Sequence, residues 1–137
     1  ENQALNTLGT ALKNAAIAQG ETDEKTLNKA ENMPLRAPMI IACVTDFKPH
    51  DKVPHWEQIA ASSCAVQNLL LALSAQGFAT VWRTGPLANA PAIKQLFNVT
   101  ADNQVIAFVY VGTAVSTTPP RSKIDVTPFI VYDNGTN

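Results

Sequence analysis

Arg83 is the residue whose chemistry and place in the sequence most suggest contact with a ligand. It directly follows the run 78–82, which has the composition of a β-strand, and directly precedes Thr84 and Gly85. A strand that ends in a Thr-Gly turn leaves backbone amides free, and a guanidinium at that point can meet an anion or an electron-rich ring. From these residues alone an alternative stays open, in which Arg83 is an exposed charge at a strand end and Trp82 is a core residue.

Motifs of other catalytic sites do not occur in the 137 residues of the sequence. It contains no G-x-G-x-x-G, no P-loop, no G-x-S-x-G and no zinc-binding spacing of cysteines or histidines. His50 and His55 with Asp51 and Glu57 could be drawn as a metal cluster. The intervening Pro54 and the spacing of the histidines do not create a helical i, i+4 pair, so we interpret both histidines as surface or loop-anchoring residues and expect no metal.

Hydrophobic periodicity and turn residues predict alternating helices and strands that would position this segment. We expect the strand at 39–45 to be central and covered on both faces, and the helix at 54–76 to be packed on several sides. Thr22 is the expected cap of the second helix. The predicted helices are 3–19, with an apolar stripe of Leu5, Leu8, Leu12, Ala15 and Ala16, then 22–32, 54–76 and 91–97, and the predicted strands are 39–45, 78–82 and 104–111.

Composition restricts the class of protein. The chain has a formal net charge of −1 and only 15% charged residues, against about 25% in typical soluble domains, which favours oligomerisation and gives no footprint for nucleic acid. No run of eighteen or more apolar residues lacks polar interruptions, so we expect no membrane partner. Cys43 and Cys64 lie in apolar segments without paired spacing, which predicts buried free thiols and a cytoplasmic location.

The polar tail after Gly112 ends in an apolar segment, 127–132, that we expect to be buried against something.

Seven blocks of residues stand in this order along the sequence: Arg36-Ala37-Pro38, His50-x-Lys52-Val53-Pro54-x-Trp56-Glu57-Gln58, Cys64-Ala65-Val66, Ala75-Gln76-Gly77-Phe78, Trp82-Arg83-x-Gly85, Gly112-Thr113 and Thr127-Pro128-Phe129. In order and approximate spacing these blocks resemble the FMN-dependent nitroreductases of the YdjA type. The similarity extends from about Ala16 to Tyr132. It implies an α+β fold with a central, mainly antiparallel sheet flanked by helices, an intertwined homodimer that holds FMN, and two-electron, ping-pong reduction of nitroaromatic or quinone-like acceptors by NAD(P)H.

The resemblance also assigns roles by position. Trp82, Arg83 and Thr84 fall on the flavin-contacting turn, where we expect the amides of Thr84 and Gly85 to face the ring edge and Arg83 to supply a cation. No side chain is required as a general acid or base, because hydride transfer belongs to the flavin. The nicotinamide nucleotide is assigned to Ala72, Leu73, Ser74, Ala75, Gln76 and Gly77, for which the end of a buried helix and its cap is an equally open interpretation.

The sequence departs from the family in one respect. The Arg-Arg-Ser type segment that grips the FMN phosphate and a later Pro-Trp type segment do not occur in it. We therefore expect residues 1–137 to be a single nitroreductase domain without its N-terminal phosphate-binding segment, inactive by itself and weak in FMN binding, because charge-assisted hydrogen bonds to the phosphate are lost. A non-catalytic flavin-binding or interaction module with the same fold is the alternative. Neither the acceptor nor a preference between NADH and NADPH follows from these residues.

Overall fold

The computed structural model describes residues 2–100, 102–116, 119 and 122–132. The predicted helices and strands are all present, and their bounds lie within two residues of those expected. The helices are α1 (Asn2–Ala18), α2 (Glu24–Asn32), α3 (His55–Ala75) and α4 (Pro91–Leu96), the strands are β1 (Met39–Thr45), β2 (Ala79–Arg83) and β3 (Gln104–Gly112), and 3-10 turns occupy Met33–Arg36 and Thr127–Phe129.

The three strands form one antiparallel sheet in the order β1-β3-β2. The expectation that β1 is central is therefore wrong, because β3 takes that position and pairs along both of its edges. Both strands are continuous apolar runs, and such runs do not reveal which of them has two neighbours. On β3, Val105, Ala107 and Val109 are almost completely buried.

Helices cover the two faces of the sheet unequally. On the first face, Phe108 and Val105 of β3 pack in a cluster with Leu8 and Leu12 of α1 and with Ile93 of α4. The predicted stripe of α1 is buried at all five positions, which confirms that prediction. On the second face, the alternate residues of β3 pack with one side of α3.

The α1 and α2 helices approach each other closely at Gly9. A Cβ atom built on Gly9 would lie 2.1 Å from the carbonyl oxygen of Glu31. The side chain of Glu31 accepts a 2.7 Å hydrogen bond from Lys13 of α1.

The cap of α2 is Asp23 and not Thr22 as expected, since the Asp23 carboxylate accepts a hydrogen bond from the Thr26 amide at 2.8 Å. Two adjacent residues with capping side chains cannot be separated without the backbone path.

The expectation that α3 packs on several sides is wrong for the single chain. Val66 is the one buried residue of this helix, and Leu71 is 59% exposed. Cys64, expected to be a buried thiol, is exposed because it lies on the side away from the sheet, whereas Cys43 of β1 is half-buried. By length and composition alone α3 could cross a membrane, which is weak evidence because core helices of soluble proteins meet the same criteria.

The apolar tail segment also has no cover within the chain. Phe129 is 80% exposed, and the three residues after it are exposed as well. Burial of this segment is therefore not provided by the described part of the same chain. The expectation that it is buried against something stays a prediction.

Replacing Gly9 by alanine tests the approach of the two helices. In an unconstrained helix the change would stabilise by up to about 1 kcal/mol. At Gly9 we expect the opposite, a loss of roughly 1–3 kcal/mol in the free energy of unfolding, because the methyl group would overlap backbone that cannot move freely. Chemical denaturation of Gly9→Ala and of the exposed neighbour Thr10→Ala provides the comparison, and a stabilised Gly9→Ala variant would show that the helices do not approach so closely.

Candidate functional site

The segment 82–85 is anchored to an irregularity in the central strand. Cys43 pairs with Ala107 while Val44 pairs with Val105, so Ile106 forms a β-bulge without a partner on β1. Thr84 donates from its hydroxyl to the Ile106 carbonyl at 2.7 Å. The indole of Trp82 donates to the same carbonyl at 3.3 Å and to the Thr84 hydroxyl at 3.1 Å. β-Bulges commonly occur beside active sites, where they redirect side chains.

The anchor determines which groups the turn presents. The polar atoms of the Trp82 and Thr84 side chains are occupied by Ile106 and by each other, and Trp82 is half-buried against the α3 face of the sheet. Among the described residues, the amides of Thr84 and Gly85 donate no hydrogen bond outside the strand ladder. Arg83 and Gly85 are exposed. The turn therefore offers two main-chain donors and one cation to an outside molecule.

Gly85 allows the backbone conformation that the turn requires. Its φ of +79° lies in the left-handed region, and no atom lies within 4 Å of the place where a Cβ would stand. The Gly85 carbonyl accepts a 3.3 Å hydrogen bond from Ala88, which continues the turn toward α4. Glycine is thus needed for the backbone conformation, and the space above it is open.

Asn89 holds the far end of the same loop and was missed in the sequence. Its side-chain amide donates to the Val105 carbonyl at 3.0 Å, and its side-chain oxygen accepts from the Val105 amide at 2.8 Å. Asn89 thereby continues the pairing of β3 after β2 has ended. Its position two residues before Pro91, which opens α4, indicated a turn, but the pairing with Val105 required the folded chain.

The stretch predicted for the nicotinamide nucleotide, Ala72–Gly77, forms the exposed end of α3. Phe78 donates its amide to Leu73 at 3.0 Å and Gly77 donates to Ser74 at 2.9 Å, while Gly77 has a φ of +86°. This arrangement is a Schellman-type helix cap. Leu73 is half-buried and the other five residues are exposed, so the interpretation as a buried helix end is wrong in the single chain, although the cap is present.

The fold does not bring the two predicted binding segments together within one chain. Ala72–Gly77 precedes the first residue of β2, and the flavin-contacting turn begins at its end. The five-residue strand separates them by roughly 13 Å. A nucleotide that contacts both would have to extend along β2, or one of the segments would have to come from a second subunit.

The two histidines have the loop-anchoring role that the sequence suggested. His50 accepts a hydrogen bond on its Nδ1 atom from the Lys52 amide at 3.1 Å. The ring of His55 stacks on Phe47 with a centroid separation of 4.2 Å. Within the ranges that the structure describes, no group of three or more His, Cys, Asp or Glu residues is arranged to hold a metal ion.

An open cleft of about 470 Å³ lies elsewhere, between α1 and α4. It is lined by uncharged residues and contains none of the predicted site residues. Hydroxyl and amide groups provide its polar surface, so it offers no charge to a phosphate. Its lining comprises Thr7, Thr10, Ala11, Asn14, Ala92, Gln95 and Leu96.

Comparison with known proteins defines the family. A family model described as "Nitroreductase family" matches residues 2–113. The chain belongs to the nitroreductase family. This nitroreductase chain is 35% identical over 133 residues to the Escherichia coli (strain K12) protein named "Putative NAD(P)H nitroreductase YdjA", which covers 96% of the chain and 72% of that protein. It is 40% identical over 134 residues to a "Putative NAD(P)H nitroreductase" of Haemophilus influenzae, with the same coverage of both chains.

A solved structure agrees on the fold. The crystal structure of the nitroreductase-like family protein from Bacillus cereus superimposes with a TM-score of 0.77 at 19% sequence identity, covering 96% of this chain and 68% of that one. The resemblance to the family and the predicted α+β fold are thereby confirmed, and the chain is assigned to an oxidoreductase enzyme. The assignments of individual residues to flavin and nucleotide stay predictions.

Replacing Asn89 by alanine tests whether this side chain holds the loop of the nitroreductase. Val105 is 1% exposed, and the change leaves its amide and carbonyl without partners, so we expect a loss of roughly 1–3 kcal/mol in the free energy of unfolding. The exposed α1 variant Asn14→Ala is the control and should stay within about 0.5 kcal/mol of the wild type. Equal denaturation midpoints for the two variants would contradict the role of Asn89.

Proposed function

We propose that the protein containing this chain uses FMN and NAD(P)H to reduce nitroaromatic or quinone-like acceptors in two-electron steps of a ping-pong cycle. Membership of the nitroreductase family supports the reaction class. The observation that carries the proposal is the turn of Trp82 to Gly85, which is fixed to the bulge at Ile106 and has two unused amides.

The groups of the turn fit a flavin ring. A reduced isoalloxazine ring is electron-rich along its pyrimidine edge, so it needs donors or positive charge beside it. The amides of Thr84 and Gly85 are such donors, and the exposed guanidinium of Arg83 is the cation. The open space at Gly85 leaves room for a flat ring to approach the backbone. When bound, FMN would supply the hydride chemistry, accepting two electrons from NAD(P)H and delivering them to the acceptor.

The chain's own part is binding and orientation. Because Trp82 and Thr84 are tied to the Ile106 carbonyl, the amide donors are held in place before a ligand arrives, and little reorganisation is needed on binding. No proton transfer is assigned to a side chain. The end of α3, Ala72–Gly77, carries the partial negative charge of a helix C-terminus, so it suits the nicotinamide or a ribose hydroxyl better than a phosphate.

We further propose a cytoplasmic homodimer in which α3 and the tail are covered by a second copy. The outer side of α3 combines small residues with Leu71, and both this side and the tail segment 127–132 are exposed in the single chain. Small residues allow close approach of a partner helix, and exposed apolar surface of this kind marks interfaces. Cys43 and Cys64 are both free, as expected in a reducing compartment.

A pair of glycine variants tests the flavin site in protein expressed from the complete gene. We expect the wild type to be yellow, to bind FMN, and to oxidise NADH or NADPH with a nitroaromatic acceptor under anaerobic conditions. Gly85→Ala should weaken FMN binding about tenfold or more, equivalent to 1.4 kcal/mol, because its methyl group enters the open space.

Gly20→Ala is the matched control, since Gly20 has a φ of +92° and equally open surroundings at the end of α1. Both variants should lose about 1–2 kcal/mol of stability through backbone strain, measured by thermal unfolding. A colourless wild type that cannot be reconstituted with FMN would refute the function. Equal FMN affinity in the two variants would refute the role of the turn.

A charge on the outer side of α3 tests the dimer. Leu71→Glu should convert a dimer to monomers at micromolar concentration, because an unpaired carboxylate would be buried in an apolar interface. Ile17→Glu on α1, where the isoleucine is 50% exposed, introduces the same charge and should leave the mass unchanged. Light scattering after gel filtration gives the masses, and a Leu71→Glu protein that stays dimeric would exclude this interface.

A further inference from the structure

The loop between β1 and α3 is closed by a single side chain. Gln58, in the first turn of α3, accepts a 2.9 Å hydrogen bond from the Lys48 amide on its side-chain oxygen. Its side-chain nitrogen donates to the Lys48 carbonyl at 3.0 Å and to the Val53 carbonyl at 3.3 Å. Both ends of the segment 48–53 are thus fixed to one residue, as in a compact surface loop of the Ω type. This part of the sequence has no role in the proposed function.

The base of this loop is also tied to the sheet. Phe47 is 9% exposed and donates its amide to the Asn103 side chain at 2.8 Å. The same Asn103 side chain donates to Asp46 at 2.7 Å. On its other side, the ring of Phe47 stacks on His55 with an interplanar angle of 15°. These contacts join the loop base to the segment before β3 and to the start of α3, so the base is held from both sides.

The tip of the loop, residues 50–53, depends on one acceptor that can take up a proton. The Lys52 amide donates to Nδ1 of His50 at 3.1 Å, and the Val53 amide donates to the His50 carbonyl at 3.4 Å. Nδ1 accepts a hydrogen bond only in the neutral imidazole, because both ring nitrogens of the imidazolium are donors. On protonation, two N–H groups would face each other at the place of the present hydrogen bond. The closed tip therefore requires a neutral His50.

The other charged groups near the tip do not create the same dependence. They are Asp46 and Lys48 at the loop base, Asp51 and Lys52 on the tip, His55 and Glu57 in the first turn of α3, and Asp102 before β3. Carboxylate and ammonium groups ordinarily keep their charge between about pH 5 and 8, whereas histidine changes its charge there. Hydrogen bonds from Lys48 and Asn103 hold the pKa of Asp46 below its usual value. The stacking of His55 on Phe47 is compatible with a charged ring, because cations also pack on aromatic faces.

We propose that the tip of this loop is a pH-responsive element, which is closed while His50 is neutral and open when His50 is protonated. The open tip can bind the proton on Nδ1 and the closed tip cannot. Lowering the pH therefore favours the open tip, by up to about tenfold per pH unit. The amide side chain of Gln58 does not titrate, so the loop base stays closed.

The loop and the candidate flavin turn leave the sheet at the same end of β3. Thr45, the last residue of β1, pairs with Gln104, and Thr84 donates to the carbonyl of Ile106. Opening of the tip would therefore change the charge and the shape of the surface at the end of the sheet that carries the turn. The opening itself needs no flavin, so it is independent of the proposed function.

Amide hydrogen exchange, measured residue by residue by NMR, tests the switch in protein expressed from the complete gene. Rates are recorded at about pH 7.5 and about pH 5, across the range in which histidine titrates, and each is divided by the intrinsic rate at that pH. The Lys52 amide should lose about fivefold in protection at the lower pH, the factor that corresponds to one hydrogen bond. The Lys48 amide, which is bound to Gln58, should keep its protection.

Three variants identify the group that takes up the proton. His50→Asn places a side-chain oxygen near the position of Nδ1, and asparagine commonly accepts from the amide two residues later, so Lys52 should stay protected at both pH values. His50→Ala removes the acceptor and should leave Lys52 unprotected at both. His55→Phe changes the other histidine of the sequence, keeps a stacked ring, and should respond to pH as the wild type does.

Several results would overturn the proposal. They are equal protection of Lys52 in the wild type at both pH values, a pH response that persists in His50→Asn or His50→Ala, and a response that is lost in His55→Phe. A parallel loss of protection at Lys48 would indicate general opening of the loop and would contradict a switch confined to the tip. If the expected Lys52 response is found in a protein that binds no flavin, the switch stands and the proposed function fails.

Discussion

The central strand β3 is the element on which the other parts of this structure depend. It pairs with β1 along one edge and with β2 along the other, and it separates the α1 and α4 layer from α3. Residues of β3 belong to both apolar clusters, so the packing of both helical layers depends on this one strand. Every candidate site residue on β2 takes its direction from its pairing with β3.

The β-bulge at Ile106 converts this scaffold into a site. On the side of the bulge that faces the end of β2, the Ile106 carbonyl accepts hydrogen bonds from Thr84 and from Trp82. Each such bond has a net value of about 1 kcal/mol, which is enough to hold a short turn in one conformation. With Asn89 fixed to Val105 at the other end, the turn is held on both sides. The amides of Thr84 and Gly85 consequently belong to a turn that hydrogen bonds hold at both ends.

In the single chain the polar side chains of the turn have hydrogen-bond partners, but part of the apolar surface has no cover. The side-chain polar atoms of the turn are satisfied internally, whereas the outer side of α3 and the segment 127–132 expose apolar surface. Full burial of one leucine side chain contributes roughly 1.5–3 kcal/mol, so covering this surface would add substantially to stability. The low fraction of charged residues, 15%, agrees with a surface of which part is shared with another subunit.

The sequence by itself determined the elements and the family. Three features could be found from short stretches of sequence, because residue spacing or turn residues mark them. They are the apolar stripe of α1, the glycine after α3 and the position of the Trp82–Gly85 turn. The order of the strands, the bulge at Ile106 and the partner of Asn89 were decided only by the tertiary structure. These features depend on contacts between residues far apart in the chain, whose pairing is set by how the apolar faces pack and not by any local pattern.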